Sequence, residues 1–201
     1  MQLFNLDDEH KSKAYQILAS LVTPRPIAWT TTRGTDGTIN AAPFSFFNVF
    51  GTRPPVVIIA PGDKEPGIPK DTARNIRETG VFVIHLVDEP LLQKMNVTAA
   101  TRDYGDSELE GLGLTLGECD HVSVPRIIEA PAALECREHS TLRIGMNRLV
   151  IGRVHRVWAK DGLFDPETMR FDQAQYAPIG RMGSPDWYAR TSDQISLPRP
   201  D

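Results

Sequence analysis

Residues Thr23 to Asn48 read T-P-R-P-I-A-W-T-T-T-R-G-T-D-G-T-I-N-A-A-P-F-S-F-F-N, and this stretch decides the fold of the chain. An apolar run through Trp29 leads into three threonines, and a second apolar run extends from Ile39 to Phe47. Between the two runs, the pair Asp36-Gly37 tolerates the positive φ angles that match the twist of two flanking strands. The stretch therefore predicts a β-hairpin.

The same hairpin concentrates polar groups that suit a phosphate. Hydroxyl and guanidinium groups donate hydrogen bonds, which phosphate oxygens accept. Threonine is also common on half-exposed strands, so the residue types by themselves leave a purely structural role open. The donors in question are Thr30, Thr31, Thr32, Ser45, Arg25 and Arg33.

The size and charge of the chain exclude several classes of protein. A length of 201 residues fits one domain. The 22 basic and 26 acidic residues give a formal net charge of -4, which leaves no broad basic field to bind nucleic acid. No apolar run approaches the roughly 18 residues of a membrane helix, and the N-terminus lacks a basic region followed by a long apolar core. We expect a soluble, cytoplasmic protein without nucleic-acid or membrane partners.

Cysteine and histidine carry no metal or disulfide signal. Cys119 and Cys136 are too few for a disulfide framework and lack metal-type spacing with histidine, so we expect two buried or partly buried free thiols. A redox role for them stays open. The five histidines are scattered, and no metal site is predicted; they are His10, His85, His121, His139 and His155.

Two helices are predicted around the hairpin. Residues 7–22 have the apolar spacing of a short amphipathic helix. Residues 70–79 predict a second helix, with Asp71 or Thr72 as its N-terminal cap and Gly80 placed to end it.

The rest of the chain predicts short strands, one more helix and two irregular segments. Many short strands with few helices favour a barrel. The strands are predicted at residues 56–60, 81–87, 132–137, 142–144 and 149–158, the helix at 89–101, a mobile loop that covers a site at 103–117, and a tail that lies over the surface or a partner subunit at 184–201.

Three separated motifs carry a family resemblance: P-R-P-I-A-W-T-T-T in the first strand, N-A-A-P-F-S-F-F-N in the second, and K-D-T-A-R-N-I at the start of the second helix. In this order they resemble the flavin reductase-like family with the FMN-binding split barrel, over roughly Leu18 to Gly180. The resemblance implies a mainly β, Greek-key-like split β-barrel with flanking helices, formed by residues 1–201 as a single domain. It also implies a homodimer that binds FMN non-covalently and uses NAD(P)H as a transient co-substrate.

The phosphate of a flavin needs charge-matched donors. The helix that starts near Asp71 offers unpaired backbone N–H groups and the positive end of its dipole, with Lys70 and Thr72 adjacent. We expect Asp71 to cap the helix with its side chain turned aside, while Thr72 donates to the phosphate together with Arg25 and the threonines of the hairpin. The alternative is an ordinary helix cap with a solvated lysine.

The flavin ring needs a dry slot with hydrogen-bonding groups at its polar edge. Trp29 and residues 44–48 are candidates for the walls, although strand alternation puts Phe44 and Phe46 on one face and sends some of the phenylalanines to the core. The resemblance implies that backbone groups of residues 29–31 and 42–45 face the ring edge and that Asn75 lies near the phosphate end. The predicted cofactor-binding residues are Arg25, Trp29, Thr30, Thr31, Thr32, Ala42, Pro43, Ser45, Phe46, Asn48, Lys70, Asp71, Thr72 and Asn75.

The chemistry requires no acid, base or nucleophile from the protein, because hydride transfer belongs to the cofactor. His139 and Arg181 are the candidates for the nicotinamide side of the pocket. The sequence lacks a glycine-rich dinucleotide fingerprint after its first strand, so NAD(P)H is expected to bind over the flavin.

The leading hypothesis is an NAD(P)H-dependent flavin reductase that serves a partner monooxygenase or a small electron acceptor. The alternatives are an FMN-bearing electron carrier of the flavoredoxin kind without nicotinamide activity, and a barrel that has kept the fold without flavin.

Overall fold

The computed structural model describes residues 1–198 and 200. Its helices are α1 (Ala14–Leu21), α2 (Asp71–Thr79) and α3 (Leu92–Val97), with 3-10 turns at Lys11–Lys13, Glu89–Leu91 and Gln173–Gln175. Its strands are β1 (Ala28–Arg33), β2 (Ile39–Phe44), β3 (Phe47–Thr52), β4 (Pro55–Ile59), β5 (Asp63–Glu65), β6 (Ile68–Pro69), β7 (Val81–His85), β8 (Leu116–Gly117), β9 (Arg126–Ile127), β10 (Ala132–Ile144), β11 (Asn147–Ala159), β12 (Ile179–Arg181) and β13 (Tyr188–Arg190).

The predicted hairpin is confirmed. β1 and β2 pair antiparallel, with Trp29 opposite Pro43, and Gly37 in the turn has a φ of 89°. The second strand is shorter than predicted, because the chain bends at Ser45 and Phe46 before β3 begins. Simple alternation of side chains along residues 44–47 was therefore wrong.

Seven strands form one antiparallel sheet in the order β2-β1-β7-β10-β11-β4-β3. β2 and β3 stand at opposite edges of this order, yet only Ser45 and Phe46 separate them in the chain. Successive Cα atoms are about 3.8 Å apart, so the two edges must meet and the sheet must curl into a barrel. Among the described strands β2 and β3 do not pair with each other, and this seam makes the barrel a split one. The predicted mainly β split barrel is confirmed.

Apolar side chains fill the barrel, with Phe82 of β7 at its centre. A Cβ atom on Gly152 of β11 would lie only 2.4 Å from Cζ of Phe82, so the ring occupies the space that a side chain at position 152 would need. Other members of this core are Ala28, Val57, Ile59, Ile76, Ile84, Cys136 and Val150.

The first and third helices are shorter than predicted. Residues 7–10 form turns ahead of α1, and the last predicted helix is a 3-10 turn followed by the six residues of α3. The second helix matches its prediction closely, since α2 ends at Gly80 with a φ of 72°. Glycine adopts this left-handed conformation without steric cost.

The third quarter of the chain contains long strands instead of several short ones. β10 runs unbroken for 13 residues and pairs with β11 of the same length, with irregular register at two points, Glu135/Cys136 and Glu138/Ser140. Residues 103–117 are irregular up to β8, as predicted.

Part of the predicted tail is ordered on the surface of this subunit. β13 pairs with β12, and the Tyr188 hydroxyl donates to Oδ1 of Asn96 over 3.2 Å. Positions 199 and 201 of the predicted tail lie outside the described residues. Within the described part of the chain, no helix is long and apolar enough to cross a membrane.

Candidate functional site

A cavity of about 220 Å³ opens at the start of α2. The end of β2 lines the cavity from below. The first turn of α2 and the segment that follows α3 line its two sides. The lining residues are Asn40, Ala42, Pro43, Phe44, Lys64, Lys70, Asp71, Thr72, Thr98, Ala99, Ala100, Thr101, Arg102 and Glu108.

The N-terminus of α2 carries no side-chain cap. Lys70 is the N-cap residue, with an extended backbone and no capping hydrogen bond from its side chain. The predicted cap is wrong in both versions, because Asp71 forms an ion pair with Lys64 over 2.9 Å and Thr72 donates to Oδ1 of Asn40 over 3.1 Å. The backbone N–H groups of the first turn, which have no partner inside a helix, are thus left without a side-chain acceptor from the cap residue. An uncapped helix start of this kind favours an anion.

The charges around this cavity favour an anion as well. Lys64, Lys70 and Arg102 line it, against the carboxylates of Asp71 and Glu108. Lys64 offsets the charge of Asp71. Lys70 and Arg102 remain as the cations that an anionic ligand would meet.

Behind the cavity lies a buried network of hydroxyls and amides. Oδ1 of Asn40 accepts from the hydroxyls of Thr32 (3.2 Å) and Thr72 (3.1 Å), and Nδ2 of Asn75 donates to the Thr32 hydroxyl over 3.1 Å. All four residues are buried. The network joins β1, β2 and α2, so it fixes where the helix begins relative to the edge strand.

The carboxylate of Glu108 closes this network from the loop side. It accepts from Nδ2 of Asn40 over 2.7 Å and from the backbone N–H of Ala41 over 3.0 Å. Burial raises the pKa of Glu108, and these two hydrogen bonds only partly oppose the rise. Ser107 adds a bond to the carbonyl of Ile39 over 2.6 Å. The predicted cover loop is therefore latched to β2.

Trp29 supports the cavity from behind. It is fully buried, and its Nε1 donates over 2.9 Å to the hydroxyl of Thr98, which lines the cavity. The Thr98 hydroxyl in turn donates to the carbonyl of Met95 over 2.7 Å. The indole thus holds the end of α3 against β1.

A second cavity of about 300 Å³ lies beyond the bend between β2 and β3. It is mainly apolar, and the predicted residues Arg25, Ser45, Phe46 and Asn48 line it. The two cavities are lined by consecutive residues of the chain, because Phe44 lines the first and Ser45 lines the second.

Arg25 is committed to structural contacts in this second cavity. Its guanidinium donates to the carbonyls of Ala19, Val22 (2.8 Å) and Met182 (3.1 Å) and to the hydroxyl of Ser45 (3.3 Å). It ties α1, β12 and the bend together. The structure therefore separates Arg25 from the lining of the first cavity, where Lys70 lies.

The threonines of β1 take up interior positions. Thr30, Thr31 and Thr32 are fully buried and line neither cavity. Thr31 donates over 3.0 Å to the carbonyl of Pro125, which covers β1 from outside the barrel. The residues predicted for cofactor binding are thus divided: Ala42, Pro43, Lys70, Asp71 and Thr72 line the first cavity, Arg25, Ser45, Phe46 and Asn48 line the second, and Trp29, Thr30, Thr31, Thr32 and Asn75 lie behind their walls.

The two predicted nicotinamide-side residues lie on exposed or half-exposed elements. His139 is exposed at the irregular register of β10. Arg181 folds over the ring of Tyr188, 4.7 Å from its centroid, and donates to the carbonyl of Pro185. Neither residue lines the two cavities.

Sequence reasoning missed eight residues of the first cavity, namely Asn40, Lys64, Thr98, Ala99, Ala100, Thr101, Arg102 and Glu108. Lys64, Thr98, Arg102 and Glu108 come from separate segments that surround α2 only in the folded chain. Arg102 and Glu108 lie in or beside the segment that was predicted to cover a site, and this was the only signal that pointed to them.

Comparison with known proteins gives this fold and site a family. Residues 20–180 match the model of the flavin reductase like domain, and the chain belongs to that family. An uncharacterized protein of Deinococcus radiodurans is 42% identical over 98% of this chain and 88% of its own length.

Two solved structures cover nearly all of the chain. Nitrilotriacetate monooxygenase component B from Bacillus cereus is 31% identical, with a TM-score of 0.92 over 98% of both chains. The 2-nitrobenzoate 2-nitroreductase of Pseudomonas fluorescens is 32% identical, with a TM-score of 0.88 over 99% of this chain and 96% of that chain. The protein is thus a flavin-related oxidoreductase of the split-barrel class.

Proposed function

We propose that this protein is an NAD(P)H-dependent flavin reductase that binds FMN with its phosphate at the start of α2. The observation that carries the proposal is the uncapped helix start, which opens into a cavity beside Lys70 and Arg102. A dianionic phosphate would accept from the free backbone N–H groups and meet both cations. The Thr72 hydroxyl is already donated to Asn40, so the backbone and the cations are the principal phosphate donors.

The dimensions of the site favour an extended ligand. A cavity of about 220 Å³ is smaller than the roughly 300–1,000 Å³ of ordinary ligand pockets, so it suits the phosphate and the ribityl chain. The flat ring would continue along the edge of β2 toward the mainly apolar cavity at Ser45 and Phe46. Because β2 is an edge strand, backbone groups on its open side are available to the polar edge of a ring.

FMN, when bound, would supply hydride-transfer chemistry with a reduced nicotinamide. The protein has to bind, orient and shield the flavin. Trp29 and Thr98 brace the wall of the first cavity, and Glu108 latches the loop beside it. His139 and Arg181 remain predictions for the nicotinamide side, since neither lines the two cavities.

The electron acceptor is proposed to be small, either free flavin for a partner monooxygenase or an organic compound. One relative is a monooxygenase component and the other a nitroreductase, and both support a diffusible acceptor.

We also propose a homodimer. Exposed apolar side chains of α1 and of the bend before β3 lie close together, because the rings of Tyr15 and Phe46 are 6.1 Å apart. Leu21, Val49 and Phe50 extend this surface and are 58–72% exposed. Apolar surface of this kind commonly marks an interface. Light scattering after gel filtration should give twice the chain mass, and a monomer at micromolar concentration would contradict the dimer.

The phosphate site is tested by charge-removing variants. Lys70→Met and Arg102→Met should each weaken FMN binding about tenfold or more, because a hydrogen bond to a charged group contributes about 1.5–3 kcal/mol. Lys11→Met, which removes an exposed lysine far from α2 in the sequence, is the matched control. Fluorescence titration of FMN measures all three. Equal affinity in Lys70→Met, Arg102→Met and the control would refute the proposed phosphate site.

The reductase activity is tested by anaerobic mixing of the FMN-loaded protein with NADH or NADPH. Rapid loss of flavin absorbance near 450 nm is the expected result. If neither nucleotide reduces the bound flavin, the protein is an FMN-bearing electron carrier and not a reductase. If the protein takes up no FMN, both functions are excluded.

A further inference from the structure

A third cavity, of about 310 Å³, lies on the outside of the barrel between β9 and the end of β11. Arg126 and Trp158 form its floor, with the guanidinium carbon 4.0 Å from the centroid of the indole ring. Ile128 and Ala130 supply an apolar wall, and Lys160 lies among the residues that line it. None of these residues lines the cavity at α2.

The indole of Trp158 is held firmly. Its Nε1 donates over 2.6 Å to the buried carboxylate of Glu135, which also accepts backbone N–H groups of residues 120–122. A carboxylate at the N–H edge makes the face of the ring more negative, and a cation over that face is attracted. Glu135 therefore helps to fix Arg126 on the ring.

Among the described residues, the side chain of Arg126 contacts the indole face but has no hydrogen-bonded acceptor. Its Nε is shielded from solvent and lacks a hydrogen-bond partner among the described residues. Within the same part of the chain, no carboxylate forms a salt bridge with it. A shielded N–H without an acceptor is costly, since buried polar groups are almost always paired.

A glycine makes room for this arrangement. A Cβ on Gly117 of β8 would lie 2.9 Å from Cδ1 of Ile128 and 3.4 Å from Nη1 of Arg126. Any larger residue at position 117 would push the apolar wall and the guanidinium apart.

We propose that this cavity is a binding site for a small organic carboxylate with a flat apolar body. The carboxylate would accept from the terminal N–H groups of Arg126, and the apolar body would pack against Trp158 and Ile128. Lys160 adds a second cation, although Asp88 lies 3.9 Å from its Nζ, and Asp161 at the rim selects against a second negative charge on the ligand. The site does not depend on the flavin cavity, because the two share no lining residue.

The test is calorimetric titration with benzoate, in the presence of saturating FMN so that the flavin site is closed. Benzamide, which has the same shape without the charge, is the ligand control and should bind about tenfold more weakly. Arg126→Gln should weaken benzoate about tenfold and leave benzamide unchanged. Arg153→Gln removes an exposed arginine of the same strand as Trp158 and should change neither.

Gly117→Ala adds a structural check, because its methyl group should weaken benzoate binding while the FMN affinity stays unchanged. If Arg126→Gln does not fold, judged by circular dichroism, the comparison of benzoate with benzamide in the unchanged protein still decides. Equal binding of benzoate and benzamide, equal benzoate affinity in Arg126→Gln, or no binding up to about 10 mM benzoate would each overturn the proposal.

Discussion

Glu108 and Glu135 are both buried carboxylates, but the structure treats them in opposite ways. Glu108, beside the cavity at α2, accepts two hydrogen bonds, from the Asn40 amide and the Ala41 N–H. Glu135, under Trp158, accepts four, from three backbone N–H groups and the indole. Burial raises the pKa of Glu108. Burial would raise the pKa of Glu135 too, but its four donors outweigh that and leave the pKa below its usual value.

The difference shows that hydrogen-bond donors can outweigh burial at a buried carboxyl group, because Glu135 has four of them, whereas Glu108 has two and also lies near the carboxylate of Asp71. Glu135 is fully satisfied and anchors residues 120–122 to β10. Glu108 accepts fewer hydrogen bonds and lines the cavity where an anion is proposed to bind. Its carboxylate is therefore the less strongly stabilised of the two. Three predictions test this contrast between the two glutamates.

The largest effect is expected from alanine substitution of the two carboxylates. Glu135→Ala leaves three backbone N–H groups and the indole N–H without an acceptor and should lower the free energy of unfolding by about 3–5 kcal/mol. Glu108→Ala leaves two donors beside a cavity that water can enter, and should cost about 1–2 kcal/mol. Urea unfolding at pH 7 measures both. A larger loss in Glu108→Ala would show that donor count is the wrong criterion.

The second prediction concerns His85, a buried group for which burial outweighs hydrogen bonding. His85 is fully buried and neutral, because its Nε2 accepts the Ile127 N–H over 2.9 Å and its Nδ1 therefore donates to the Trp29 carbonyl over 2.9 Å. Burial lowers the pKa of His85 to about 4. The unfolded chain takes up the proton near pH 6.5 and the folded protein does not, so stability should fall between about pH 6.5 and pH 4, by about 3 kcal/mol.

The measurement for His85 is the free energy of unfolding as a function of pH, compared with that of His85→Gln, which should lack this part of the slope. His10→Gln, at an exposed or half-exposed position in the N-terminal turns, is the control and should keep it. The same slope in His85→Gln as in the unchanged protein would contradict the assignment.

The smallest effect is a difference in pH dependence between the two glutamates. The folded pKa of Glu108 is raised, so the folded state binds its proton first, and the protein gains stability from this group as pH falls toward 4.5. The folded pKa of Glu135 is lowered, so its contribution is lost as pH falls below 4.5. In Glu108→Gln, the free energy of unfolding should no longer rise as the pH falls toward 4.5. In Glu135→Gln, the part of its fall below pH 4.5 that Glu135 causes should be missing.

Unfolding curves of both glutamine variants between pH 3 and pH 7 give this comparison. Slopes that change in the same direction in both variants would mean that the two carboxylates do not differ as described.

Local features of the fold were predictable because their causes lie within a few residues. The Asp36-Gly37 turn, the end of α2 at Gly80 and the helical start at the K-D-T motif each follow from neighbouring side chains and backbone preference. The family motifs also led to the correct barrel, although they did not predict where β2 would end.

The contents of the site were less predictable because burial depends on distant segments. Thr30 to Thr32 were predicted to be phosphate donors, with a half-exposed strand as the structural alternative, yet all three are fully buried and the segment that contains Pro125 covers β1. Arg25 was read as a phosphate ligand, yet three carbonyls and the Ser45 hydroxyl surround it. A side chain shows its chemistry in the sequence, but its partners are chosen by packing.

The hairpin, the second helix and the family could be predicted from the sequence, because turn residues and motifs act between residues that are close together in the chain. The folded structure was needed to show that α2 begins without a side-chain cap, that Lys70 and Arg102 line one cavity, and that the pKa values of Glu108 and Glu135 shift in opposite directions. These properties depend on hydrogen-bond donors and cations that come together from separate segments when the chain folds.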